Sequence, residues 1–152
     1  MIALALLGAA AACQSSHGNA GPIERSAAGL QQVPLTVRSG SRTHKFIVEV
    51  AGTPQEQATG LMNRMSLAPD RGMIFPFPTP RQASFWMRNT FIPLDIIFIR
   101  SDGTIANIAE NTIPFSEDQI LSEGPVSTVL ELAGGRAAEL GIKAGDRVEW
   151  AQ

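Results

Sequence analysis

The residues best able to do chemistry lie in "SFWMRNTFIPLDIIFI", residues 84–99, where Arg88, Asn89 and Asp95 interrupt an apolar run. Trp86 offers an aromatic plate beside the Arg88 guanidinium and the Asn89 amide, a combination that suits a sugar or a carboxylated ligand. In "LDIIFIR" a period of two places Leu94, Ile96 and Phe98 on one face and Asp95, Ile97 and Ile99 on the other. Asp95 therefore shares a row with apolar residues, and a buried carboxylate without donors costs several kcal/mol. The nearest donors in sequence are Arg88, Asn89 and Thr90, so Asp95 either pins the bend that Pro93 begins or joins Trp86, Arg88 and Asn89 in a ligand-contacting site.

Two further chemistries can be built from these motifs. Glycoside hydrolysis needs two carboxylates facing one cleft, and Asp95 with Glu131 is the pair on offer. Glu131 in "VLELA" reads as a solvent-facing strand position, and Asp146 in "KAGDRV" as a turn residue bonding its own backbone. Thioethers select soft ions such as Cu(I), and Met62, Met65, Met73 and Met87 fall near Trp86; methionine also fills irregular core gaps, which is the simpler use here. Zinc hydrolysis is excluded by ligand count, because the segment after the linker holds one histidine, His44, and no H-E-x-x-H spacing. No G-x-S-x-G elbow presents a serine, and Gly134-Gly135 lacks the lysine and spacing of a phosphate cradle. No catalytic residue, metal site or cofactor is assigned.

Short β elements must position these residues. "VPLTVRS" and "THKFIVEVA" alternate around "GSR" and read as a hairpin. Thr53, Pro54 and Glu56 spell a capping box with proline at the first helical position, which predicts a short helix from about Pro54 to Met62. The prolines of "FPFPTP" argue against a central strand and for an irregular crossing or edge segment, after which "QASFWMR" resumes as a strand. Asp102-Gly103 marks a tight hairpin between "LDIIFIR" and "TIANIAENT". "VSTVLELA", a brief helical "GGRAAELG" and a final strand after "GIKAGD" complete the pattern.

Of 152 residues, 44% are hydrophobic and 17% charged, which fits one globular domain. Twelve basic against fourteen acidic residues leave a net charge of −2 with no run of either sign, so nucleic acid is not an expected partner. The lone cysteine, Cys13, precludes an intramolecular disulfide. "MIALALLGAAAAC" is an apolar tract ending on small residues, too short to span a bilayer, and resembles a bacterial lipoprotein signal whose cysteine is lipidated. It carries Ala10 where such signals usually have leucine, and no Lys or Arg before Arg25. Residues 1–13 are thus read as a signal segment, 14–32 as a flexible linker and 33–152 as a single β-rich domain.

"GLMNRMSLAPDRGMIFPF", "FWMRNTFIPLDIIFI", "VLELAGG" and "GIKAGDRV" occur in an order that resembles the family called domain of unknown function 192, from Leu35 to Trp150. The resemblance implies a compact jelly-roll-like domain, often behind an export or lipoprotein signal, and supplies no established activity. The expectation is an all-β domain, a jelly-roll-like sandwich or partly open barrel of seven to eight short strands with one or two short helices. Its expected role is non-catalytic: an exported, periplasmic protein, anchored to the membrane through Cys13, that binds a small polar or cell-envelope ligand or an envelope protein. Trp86, Arg88, Asn89 and Asp95 are the expected contacts. A carbohydrate-active enzyme using Asp95 and Glu131, and a Cu(I) binder using the methionines, are the alternatives.

Overall fold

The computed structural model describes residues 24–151. Cys13, the apolar tract before it and the first part of the linker lie outside the described residues.

The first hairpin forms as its alternation requires. Strands β1 (Gln32–Ser39) and β2 (Arg42–Val50) pair antiparallel from Gln32 opposite Glu49 to Ser39 opposite Arg42, and Val33, Leu35 and Val37 are buried. Thr53 then caps α1 (Pro54–Thr59): its hydroxyl accepts the Glu56 N–H at 3.2 Å, and the Glu56 carboxylate accepts the Thr53 N–H at 2.8 Å. The helix stops earlier than expected, at Gly60 with φ +47°. A β-carbon there would sit 3.4 Å from the Phe75 ring, so glycine serves both the turn and the close approach.

The proline segment corrects the sequence reading. β3 (Arg71–Phe85) is one strand that runs through all three prolines and stands in the middle of the sheet. It tolerates them because its parallel pairing with β2 ends at Ile74, and because the ladder to β6 shifts register between Pro76 and Arg81. Pro78 and Pro80 thus occupy positions where no ladder hydrogen bond is asked of them.

β4 (Leu94–Ile99) and β5 (Ile105–Ala109) flank the Asp102-Gly103 turn, β6 (Ile120–Ala133) is longer than "VSTVLELA", and α2 (Arg136–Leu140) precedes β7 (Arg147–Trp150). The seven strands lie in the order β5-β4-β6-β3-β2-β1-β7. The ends of this sheet meet: Thr104 bridges Arg147, Ile105 N–H donates to the Asp146 carbonyl and Val148 N–H to the Gly103 carbonyl, each at 2.8 Å. The result is an all-β, partly open barrel. Among the described residues no helix is long and apolar enough to cross a membrane.

Two apolar clusters follow from strand alternation. One draws residues from all seven strands, including Leu35, Phe46, Ile74, Ile97, Leu130 and Val148, and fills the barrel. The other covers the opposite face of β3, β4 and β6 with Met73, Phe75, Ile96, Phe98 and Val129, closed over by Leu61 and Met87. β4 is buried along its whole length because both of its faces are covered.

Candidate functional site

Asp95 is fully buried, and its donors are backbone amides rather than the side chains nearest in sequence. Oδ1 accepts Asn111 N–H at 2.7 Å and Gly135 N–H at 2.8 Å, and Oδ2 accepts Ala137 N–H at 2.6 Å. The carboxylate thereby caps α2, whose N-cap Gly135 has no side chain to do so, and ties it to the segment after β5. Pro93 takes part by another route, its carbonyl accepting Gly134 N–H at 2.9 Å.

Trp86, Arg88 and Asn89 lie elsewhere, in the exposed turn after β3. The Arg88 guanidinium stands 5.4 Å from the Trp86 ring and 3.8 Å from Glu117. Asn89 adopts φ +54°, a left-handed turn that asparagine tolerates, and its carbonyl accepts the N–H of Asn63, itself at φ +62°. That bond, with the Arg64 to Glu49 ion pair at 2.8 Å, holds the 60–64 turn after α1 in place.

Between α1 with its following turn and the outer face of β3 opens a cleft of about 300 Å³. Gln57, Thr59, Leu61 and Met62 form one wall, Phe75, Phe77, Phe85 and Arg81 the other, with Trp86 and Thr90 at the end. The Phe75 and Phe85 rings meet edge to face at 5.2 Å, and the Arg81 guanidinium lies 4.0 Å above Phe77. Trp86 is thus the one expected contact that lines the cleft; Arg88, Asn89 and Asp95 do not.

Glu131 also lines it. Its neighbours across the ladders are Met73 on β3 and Ile96 on β4, both fully buried, so the side chain leaves the sheet on the apolar outer face. Contrary to the solvent-facing expectation, Glu131 is 5% exposed, and its Oε2 is buried with no hydrogen-bond partner among the described residues. Burial pushes its pKa up to about 8, because the ionised form has neither water nor donors to stabilise it. A signal for this was present in the sequence: Val129, Leu130 and Leu132 surround Glu131, and a strand apolar on both faces is covered on both.

Asp95 and Glu131 cannot act together on one substrate bond. Asp95 stands opposite Leu132, whose side chain belongs to the barrel interior, whereas Glu131 stands opposite Ile96 on the outer face. The sheet separates them. The methionines divide similarly: Met73 and Met87 are buried, Met62 lines the cleft and Met65 is 78% exposed. The Met87 sulfur is 3.1 Å from the Thr112 hydroxyl, which also accepts Leu94 N–H. Among the described residues no three His, Cys, Asp or Glu side chains form a metal-binding group. Asp146 is the turn residue expected, its Oδ2 accepting Lys143 N–H at 2.9 Å.

A larger hollow of about 490 Å³ lies over β1 and β2, but among the described residues no buried unpartnered polar atom opens on it. His44 Nε2, the other buried atom without a partner among the described residues, lines neither cavity.

Solved structures share this architecture. A protein of unknown function from Novosphingobium aromaticivorans DSM 12444 is 48% identical, with a TM-score of 0.82 over 92% of this chain and all of its own. A protein from Sinorhizobium meliloti 1021, proposed as a transcription regulator, is 45% identical, with a TM-score of 0.78 over 80% of this chain and 95% of its own. No functionally curated protein matches the chain. The profile of the family described as DUF192, uncharacterized ACR, matches residues 35–150, and the chain belongs to that family.

Proposed function

We propose that the domain is a non-catalytic binding module for a small polar ligand, held in the cleft between α1 and the outer face of β3. One observation carries this reading: the Glu131 carboxyl lines a cleft walled by aromatic rings, with a buried oxygen that has no partner among the described residues. An orphaned acceptor costs stability unless something completes it. An apolar cleft with few, convergent polar groups is the usual form of a ligand site. Glu131 has no second carboxylate beside it among the described residues of the lining, which favours binding over two-carboxylate hydrolysis.

The apolar tract ending at Cys13 supports a periplasmic domain tethered to the membrane by a lipidated N-terminus, with cell-envelope molecules as ligands or partners. Mass spectrometry of the native protein tests this; an unprocessed N-terminus or an unmodified Cys13 ends it. The description of the Sinorhizobium meliloti protein raises nucleic acid as a partner, yet a net charge of −2 without a basic cluster offers little to phosphates.

A panel of sugars, amino acids, amines and organic acids, scored by the unfolding midpoint of the purified protein, tests the cleft. A binder should raise the midpoint of the wild type and lose that effect in Thr59→Trp, whose ring fills the cleft from the exposed end of α1. If no compound raises the midpoint, or if every shift survives Thr59→Trp, the cleft is not a ligand site.

A further inference from the structure

We infer that the ligand presents a protonated amine to Glu131 and lays an apolar body against the rings of Phe75, Phe85 and Trp86. The inference rests on the cleft reading above and names the ligand class for it. Gln57 Nε2 already donates to the Ala51 and Pro76 carbonyls, at 3.2 and 2.8 Å. The Thr59 and Thr90 hydroxyls donate to the Gln55 and Arg88 carbonyls, at 3.0 and 3.2 Å. The Arg81 guanidinium is stacked on Phe77. The Gln57, Thr59 and Thr90 donors are thus engaged elsewhere, and none of them, nor Arg81, Ser84 or Trp86 in the same lining, donates to Glu131 Oε2, so a ligand can bring the complement.

An ammonium is the group that answers both the missing donor and the aromatic walls. It brings three N–H donors and a positive charge, it converts a buried carboxyl from a liability into an ion pair, and ring faces attract it. A ligand carboxylate would instead set a second negative charge against Glu131 as it ionises, and gains no ion pair from it. Among the described residues Arg81 is the only other charged side chain lining the cleft, so an amine whose far end carries a carboxylate would use both.

The proton balance follows from the same geometry. Glu131 is held neutral by burial up to about pH 8, so an arriving ammonium finds a carboxylic acid; the pair forms when that acid gives its proton to solvent. Few groups face it: β3 and β4 present Met73 and Ile96, Glu56 of α1 is turned to the Thr53 cap, the residues of α1 and its turn that line the cleft carry no charge, and Arg81 is the charged side chain across the cleft. Affinity for an amine should therefore rise with pH, about 50-fold between pH 6 and pH 8, where an alkylammonium is itself still protonated.

Phenethylamine, L-phenylalanine and 3-phenylpropanoate share a ring and differ in charged groups, which makes them suitable probes. Titrated by calorimetry into the full chain at pH 6, 7 and 8, phenethylamine and L-phenylalanine should bind and tighten with pH. Glu131→Gln should weaken both at least tenfold at pH 8 and abolish the pH dependence, with an unchanged circular dichroism spectrum confirming its fold. Three results would overturn the inference while leaving the cleft reading in place: binding of 3-phenylpropanoate alone, amine binding indifferent to Glu131→Gln, or no response to any of the three when another panel compound binds in a Thr59→Trp-sensitive way.

Discussion

Asp95 and Glu131 sit on neighbouring strands one residue out of register, and the sheet treats their carboxylates in opposite ways. Asp95 receives three backbone N–H bonds and works as a structural pin. Asp95→Ala strands those amides, and a denaturant series should show a loss of about 2 to 4 kcal/mol, while Trp86→Ala, at a half-exposed position, should cost about 1 kcal/mol or less. Equal and large losses in both would place Trp86 in the same structural network and remove it from the binding surface. Glu131 has no such support. Its pKa is raised on folding, from 4.5 to about 8, so the folded protein holds a proton that the unfolded chain releases between those values. Stability from this group is fully present below pH 4.5 and is lost as pH rises through 8. Urea unfolding of the wild type should accordingly weaken by roughly 2 to 3 kcal/mol between pH 6 and pH 9, and Glu131→Gln should be flat over that range. A wild type equally flat would mean that Glu131 ionises freely and is not buried as described.

At the scale of elements, α1 is a wall of the cleft made from six residues, too short to persist on its own. It depends on its cap and on the Gln57 amide, which reaches the Pro76 carbonyl of β3 at 2.8 Å. Thr53→Ala removes half of the capping box and should cost about 1 kcal/mol. Its more telling effect is local: amide exchange at Gln57 and Gly60, whose N–H groups donate to Thr53 and Glu56, should quicken while the β4 and β6 amides keep their protection. Uniform acceleration across the domain would show that α1 is not a separate unit but part of the global unfolding transition.

For the whole molecule, the decisive contact is the seam between β5 and β7, since a sheet that meets itself leaves few free edges. Val148 belongs to both halves of that seam: its N–H donates to Gly103, and its side chain is packed in the barrel. Val148→Ala should cost about 1 to 3 kcal/mol and speed exchange at Ile105, whose amide crosses to Asp146. If Ile105 keeps full protection in that variant, the seam does not depend on β7 packing.

Much of this architecture was readable from local rules, because those rules are local in cause. The capping box at Thr53, the Asp102-Gly103 turn, the first hairpin and the two faces of β4 each follow from residues within one turn or one strand. The proline segment and the site were not legible in that way. Whether "FPFPTP" can lie in a central strand depends on where β2 stops and where the β6 ladder slips, and both are set by partners remote in sequence. Alternation placed Asp95 in an apolar row, but its donors come from Asn111, Gly135 and Ala137, which the chain brings back only after β5 and β6. Glu131 is the clearest case. Its identity and its apolar neighbours are written in "VLELA", yet its face, its burial and the cleft in front of it exist only because β6 is flanked by β3 and β4 and because α1 folds over the result. Periodicity is a property of one strand, whereas the environment of a carboxyl is a property of every strand packed around it.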